Sequence, residues 1–246
     1  MFKQVLLVLS VGVVLATLFS AWTSRELVAN TLVGKLGSTA VPVVGVPPDN
    51  DLPTPTPRPR PRLGIVAGHW GSDSGAVCPD GLTEADVNLV IATLVKEKLV
   101  AEGFDVDLLK EFDIRLTGYR ALALVSIHAD SCEYLNDQAT GFKVAAALST
   151  TNPEKAERLA ACLRSRYGSI TGLDYHAGSI TVDMTSYHAF DEINHETTAV
   201  IIETGFLNLD RQLLEQNPEI AAQGITAGIL CYIYNEDVSP IETSTP

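Results

Sequence analysis

Three apolar runs in this chain end abruptly in a titratable residue. They are Val66-Ala67-Gly68-His69, Val125-Ser126-Ile127-His128 and Ala199-Val200-Ile201-Ile202-Glu203. A further acid, Glu84, opens a stretch of helical spacing that follows the first of them. Imidazoles and carboxylates are the ligands zinc takes, and a catalytic zinc keeps three protein ligands and one position for water. A carboxylate nearby can then accept a proton from that water. The pattern alone leaves two readings open: a metal centre, or ordinary hydrogen-bonded polar residues closing strands. Other tempting residues carry less. His195-Glu196-Thr197-Thr198-Ala199 begins like the zinc-protease helix motif, but position 199 is Ala and a strand follows. His176 and His188 precede the Glu203 run, where His188 is the better candidate for lining a groove or stabilising an oxyanion.

The elements that must position these residues alternate in type. Leu63–Ala67 reads as a short buried strand, and Phe104–Leu109 alternates apolar residues with Asp. Ala121–Ile127, Gly141–Leu148, Ser179–Val182 and Ala199–Glu203 read as further strands. Glu84–Ala101 has helical spacing with Gly103 beyond it. Asn152-Pro153-Glu154 is a helix start, with the helix expected to run to Tyr167 and stop at Gly168. Pro218–Tyr234 is a last long helix, in which Gly224 and Gly228 suit close packing. Strands alternating with helices predict a single α/β domain, a mostly parallel twisted sheet flanked by helices. Ligands in such sheets sit at the carboxyl ends of the strands. If the strands are parallel neighbours, His69, His128 and Glu203 meet at one edge.

The first third reads as delivery apparatus. Residues 1–24 hold an uncharged apolar run from Val5 to Trp22, long enough for a membrane anchor and also compatible with a cleaved signal. Residues 25–62 form a linker whose stretch from Val41 to Arg62 carries eight of the 13 prolines, which favours an extended spacer. The folded domain is expected over 63–236, with a flexible tail at 237–246. The charge divides the same way. The net charge is −13, residues 1–62 carry +3, and the remainder therefore carries −16. So acidic a body excludes nucleic acid as a partner, because phosphate binding needs clustered Lys and Arg.

Four segments sharpen the reading. Ala67-Gly68-His69-x-Gly71-x-Asp73-x-Gly75-Ala76, Glu84-x-Asp86-x-Asn88-Leu89, Ser126-Ile127-His128-Ala129-Asp130 and Ile202-Glu203-Thr204-Gly205-Phe206-Leu207 occur in that order. Together they resemble the zinc-dependent N-acetylmuramoyl-L-alanine amidases of the amidase-3 family, with its phosphorylase/hydrolase-like fold. The resemblance implies His69, Glu84 and His128 as Zn²⁺ ligands and Glu203 as the acid/base. It implies peptidoglycan as substrate and the bond between muramic acid and L-alanine as the one cut. Asp73 is then either a partner that orients an imidazole or a cap of its own loop. An extracytoplasmic location follows, held at the membrane through the N-terminal segment or secreted. A zinc peptidase or carboxypeptidase on the stem peptide, and an inactive wall-binding module, are the alternatives.

The chain departs from that family where Leu109 to Ala121 is short, with Arg120 the nearest remnant of an expected arginine. Thr198 stands in place of a proline, and Leu207-Asn208-Leu209-Asp210 replaces the usual ending. No long helix is inserted to plug the site, so an accessible groove without built-in autoinhibition is expected. If both histidines bind one metal, the loops carrying Cys78 and Cys132 are neighbours and a disulfide between them is reasonable in an exported protein. Cys162 and Cys231 fall on apolar helix stretches and are expected as buried free thiols, with a bond between them as the alternative.

Overall fold

A computed structural model of the protein describes residues 60–238. The anchor or signal segment, the linker up to residue 59 and residues 239–246 lie outside the described residues. No helix among the described residues is long and apolar enough to cross a membrane. The elements run β1 (Arg62–Ala67), α1 (Glu84–Ala101), β2 (Asp105–Lys110), β3 (Ala123–Asp130), β4 (Lys143–Ala146), α2 (Pro153–Thr171), α3 (Val182–Thr185), α4 (His188–Glu192), β5 (Thr198–Phe206) and α5 (Pro218–Ile233). The sheet order is β2-β1-β3-β5-β4. All pairs are parallel except β4, which lies antiparallel to β5 at the edge.

The alternation of side chains along the strands gives the sheet two unlike faces. Leu63, Ile65, Val125, Ile127, Val200 and Ile202 point to one, where the long helices α1, α2 and α5 bury Ile91, Val95, Leu163 and Ile225 against them. The other face carries Val66, Leu124, Ala145 and Ile201, and is covered by short pieces that contribute Leu116, Met184, Tyr187 and Phe190. Ser126, His128 and Asp130 share the parity of Leu124, so they belong to this second face, as Glu203 does with Ile201.

Local chemistry explains the helix ends. The hydroxyl of Thr83 accepts from the Asp86 N–H, and Glu84 and Asp86 occupy the positively polarised first turn of α1. Helix α2 starts at Pro153 as expected, although the Asn152 side chain makes no capping hydrogen bond. It runs past Gly168 to Thr171 and ends at Gly172, which takes the left-handed conformation at φ 74°. A glycine inside a helix weakens it without ending it when tertiary packing holds both sides.

Two expectations are overturned. Residues 179–182 form no strand: Ala177–Ser179 is a single 3₁₀ turn and Val182 opens the short α3. The Ser179 N–H and hydroxyl both bond back to His176, a local alternative that competes with strand pairing. Cys162 and Cys231 are not free thiols but a disulfide linking α2 to α5, with Cα atoms 5.7 Å apart. The glycine spacing in α5 is the reason. A Cβ at Gly228 would lie 2.8 Å from the Leu163 Cα, and one at Gly224 3.1 Å from the Tyr167 Cα. The absent side chains bring the helix backbones close enough for the two cysteines to meet.

Candidate metal centre and active-site cavity

Parallel register sets the site. Ala67 pairs with Ile127, so Gly68 and His69 emerge where β3 continues into His128, and His128 is itself paired with Glu203. Helix α1 returns from the loop after β1 and presents Glu84 at its first position. Glu84 Oε1 lies 3.3 Å from His69 Nε2 and 3.3 Å from His128 Nδ1. One ligand atom from each residue fits within a 4.8 Å group. Zinc bonds of about 2.0–2.1 Å at tetrahedral angles separate ligand atoms by about 3.3–3.4 Å, so the three residues fit that ion.

Glycine makes the crowding possible at two positions. A Cβ on Gly68 would collide with the His128 ring, and one on Gly75 would lie 2.5 Å from Glu84 Oε2. Around the cluster, Asn88 Nδ2 and the Ala129 N–H donate to Glu84 Oε1 at 3.2 Å each, and the Ala76 N–H donates to Oε2 at 3.1 Å. Asp73 does both things considered for it. Its Oδ1 lies 2.6 Å from His69 Nδ1, which turns Nε2 towards Glu84, and it accepts from the Gly75 N–H at 2.8 Å.

The protonation pattern is that of a cation site filled by protons. The hydrogen bond to Glu84 raises His69 to about 9. Burial alone would raise Glu84, but bonds from His128 and His69 outweigh it and hold the carboxyl well below the usual range. Glu203 behaves oppositely: burial pushes it up to about 7 against the pull of His128 and Lys143. Its Oε2 has no hydrogen-bond partner in the protein, and neither has His128 Nε2. An unpaired buried oxygen beside the His128 imidazole is where a ligand or water belongs.

The comparisons decide the family. The model of the amidase-3 family, N-acetylmuramoyl-L-alanine amidase, matches residues 63–231. The chain belongs to this family. Among solved structures it is similar to the catalytic domain of the amidase CwlV from Bacillus (Paenibacillus) polymyxa var. colistinus. That match has 25% identity and a TM-score of 0.55, and covers 71% of this chain and 98% of that one. It is similar also to the amidase AmiC2 of Nostoc punctiforme, at 25% identity and TM-score 0.54, covering 71% and 97%. CwlD of Clostridioides difficile, solved in complex with the GerS lipoprotein, shares the fold at 20% identity and TM-score 0.57, covering 72% and 100%. No curated protein sequence matches. The protein is thus an α/β enzyme of the N-acetylmuramoyl-L-alanine amidase class.

In this amidase the His69–Glu84–His128 group, which could hold a metal, opens into a cavity of about 380 Å³ lined by His69, His128 and Glu203 on one side and by Met184, Tyr187 and His188 on the other. His188 lines the groove, but both its nitrogens are engaged: Nε2 lies 2.9 Å from Glu111 Oε1 and Nδ1 2.9 Å from Glu192 Oε1. That leaves no N–H free for an oxyanion. Glu111 is the candidate site residue that sequence reasoning missed. Though buried, it accepts from the His69 N–H at 2.6 Å and sits 3.7 Å from His128 Nε2. The bond supports His69 in the left-handed backbone region, at φ 64°. The signal was present, since Glu111 follows the end of β2 as His69 follows β1. Arg120 instead pairs with Glu196 on the exposed surface, and exposed His195 bonds the Ser149 carbonyl; neither is in the site. Cys78 and Cys132 form the disulfide expected between the two metal-side loops, with Cα atoms 5.2 Å apart.

Proposed function

We propose that the protein is a zinc-dependent enzyme that cuts the amide between N-acetylmuramic acid and L-alanine in peptidoglycan. His69 Nε2, Glu84 Oε1 and His128 Nδ1 hold the metal, and Glu203 is the acid/base. The observation that carries this is Glu84 Oε1 at 3.3 Å from both imidazole nitrogens, with Glu203 in register beside His128. Bound zinc supplies Lewis acidity, polarising the scissile carbonyl and lowering the pKa of a water toward ~7. The unpartnered Glu203 Oε2 takes the proton of the attacking water and hands it to the alanine nitrogen as the C–N bond breaks. Burial favours this by keeping the Glu203 affinity for a proton near neutrality. Asp73 and Glu111 hold the His69 ring and backbone, while Asn88 and the Ala129 N–H hold Glu84.

Two disulfides and a wall substrate support an extracytoplasmic enzyme. The apolar N-terminal run supports tethering at the membrane through residues 1–24, ahead of the linker and a catalytic domain over 63–236. The test is digestion of purified peptidoglycan by the protein, with and without a chelator, followed by mass analysis. Release of intact stem peptides with a free L-alanine amine, lost on chelation, is expected. Shortened stems would replace this reading with a stem peptidase, and no release by the zinc-loaded protein with a wall-binding module.

A further inference from the structure

We propose that a second cavity beside the candidate metal site is a subsite for the stem peptide beyond the scissile L-alanine, with buried Lys143 and its half-buried partner Asp130 reading a neutral peptide unit. The inference rests on the amidase reading above. The cavity measures about 380 Å³ and is lined by Asp130, Leu135, Gln138, Lys143 and His176, and by Thr181, which also lines the metal cavity. One residue thus lines both spaces.

The placement is set by the sheet. Lys143 opens β4 in register with Glu203, and Asp130 lies two residues past His128 on the same face. Neighbouring strands run about 4.8 Å apart and an extended peptide advances about 3.3 Å per residue. A stem leaving the scissile bond towards β4 thus reaches Lys143 within about two residues.

The pair has no evident structural reason. Lys143 is only 4% exposed, and its Nζ lies 2.5 Å from Asp130 Oδ2. Lysine is almost never fully buried, and desolvating an ion pair costs several kcal/mol per ion, which apolar residues of similar size would avoid. The same face of β4 continues as Ala145 and Ala147. An ammonium has three N–H donors, and among the described residues its one charged partner is Asp130, whose Oδ2 makes no well-aligned hydrogen bond to it.

The chemistry favours peptide over sugar. A sugar ring binds by stacking on an open aromatic face, but the Phe206 ring is occupied, with Lys143 Nζ 5.5 Å and the His176 ring 5.8 Å from its centre. What the cavity offers instead is a fixed donor and a fixed acceptor side by side. These suit the C=O and N–H of one peptide unit, or a carboxamide, whereas a free carboxylate would face Asp130. Leu135, 58% exposed at the rim, offers an apolar contact to a small side chain.

The test compares kcat/KM of the zinc-loaded full chain on N-acetylmuramoyl-L-alanine and on an N-acetylmuramoyl tetrapeptide. The wild type is expected to favour the longer substrate. In Lys143→Met, and in Lys143→Met with Asp130→Asn, the long-to-short ratio is expected to fall about tenfold, through KM of the long substrate, as for a lost hydrogen bond to a charged group. Leu135→Asp, on the exposed rim and away from the ion pair, is expected to lower the same ratio and decides the matter if the Lys143 variants fail to fold. The wild type should also favour a tetrapeptide whose second residue carries a carboxamide over one with a carboxylate. Ratios within twofold of wild type in every folded variant, no length preference in the wild type, or preference for the carboxylate would each overturn the subsite. Cleavage of neither substrate by the wild type would instead remove the amidase reading, and this inference with it.

Discussion

The two faces of the sheet are built on different terms. One is covered by three long helices whose part of the apolar cluster against the sheet is Leu, Ile, Val, Ala and a single tyrosine, Tyr167, and two of those helices are joined by Cys162–Cys231. The other is covered by turns and by helices of four and five residues, and its parity carries His128, Asp130, Lys143 and Glu203. The first face can hold the sheet rigid because its cover is long and mostly apolar. The second can present charged groups because its cover is incomplete, and the space left is the pair of cavities. Glu84 links them: it stands at the start of a long helix, so the helical face fixes one proposed metal ligand while the strands fix another. A site mounted on rigid elements keeps its geometry without help from its cover.

The largest effect tests whether the second face alone does the chemistry. Glu203→Ala should lower kcat about 10³-fold, as removal of a general base does, with zinc content by atomic absorption unchanged. An active, zinc-loaded variant would return proton transfer to another group. Breaking the first face should do the reverse. Replacing Cys162 and Cys231 by Ser opens a disulfide that closes 69 residues, and should cost about 4 kcal/mol of stability in the chain-entropy account. Urea denaturation reads that loss, and kcat at 20 °C should stay near wild type. A variant of undiminished stability would deny the helical face its structural role.

Smaller effects probe the contact between the faces. Glu111→Gln should weaken zinc binding about 10- to 100-fold, as loss of an outer partner of a ligand does, measured by competition with a chromophoric chelator. Unchanged affinity would mean that Asp73 and the loop hold His69 unaided. The smallest effect is in pH. In the metal-free protein His69 is raised from 6.5 to about 9, so its stabilisation is complete below 6.5 and lost as pH rises through 9. Glu84 is depressed below 4.5, so its contribution is present above 4.5 and lost as pH falls through the lowered value. The metal-free protein should melt highest between about pH 4.5 and 6.5. Zinc competes with the His69 proton, so the gain in Tm on adding zinc should grow from pH 6.5 to 9. A zinc-induced gain independent of pH would contradict the ligand role of His69.

Much of the site was legible because its residues stand where elements change. His69 and Glu203 close apolar runs, Glu84 opens a capped helix, and parallel strands carry such ends to one edge. The same rule applied to β2 would have found Glu111, which was passed over because Lys110 makes the end of that run polar. Residues 179–182 were misread because Ile180 and Val182 have strand propensity, while the bonds from Ser179 to His176 that override it are invisible in a propensity. Gly168 looked like a stop, but helix α2 continues past it because packing holds that helix.

By itself the sequence determined the alternation of elements, the residue types at the strand ends and the separation of an acidic domain from a mildly basic, proline-rich approach. These follow from local periodicity and composition, which need no partner. Only the tertiary structure decided which groups meet. It placed one oxygen of Glu84 between two imidazoles, drew Glu111 beneath His69, and set Lys143 across from Glu203. It also brought Cys162 to Cys231, because two absent side chains in α5 let two helices touch. Distances between groups far apart in the chain depend on register and packing, and a linear pattern carries neither.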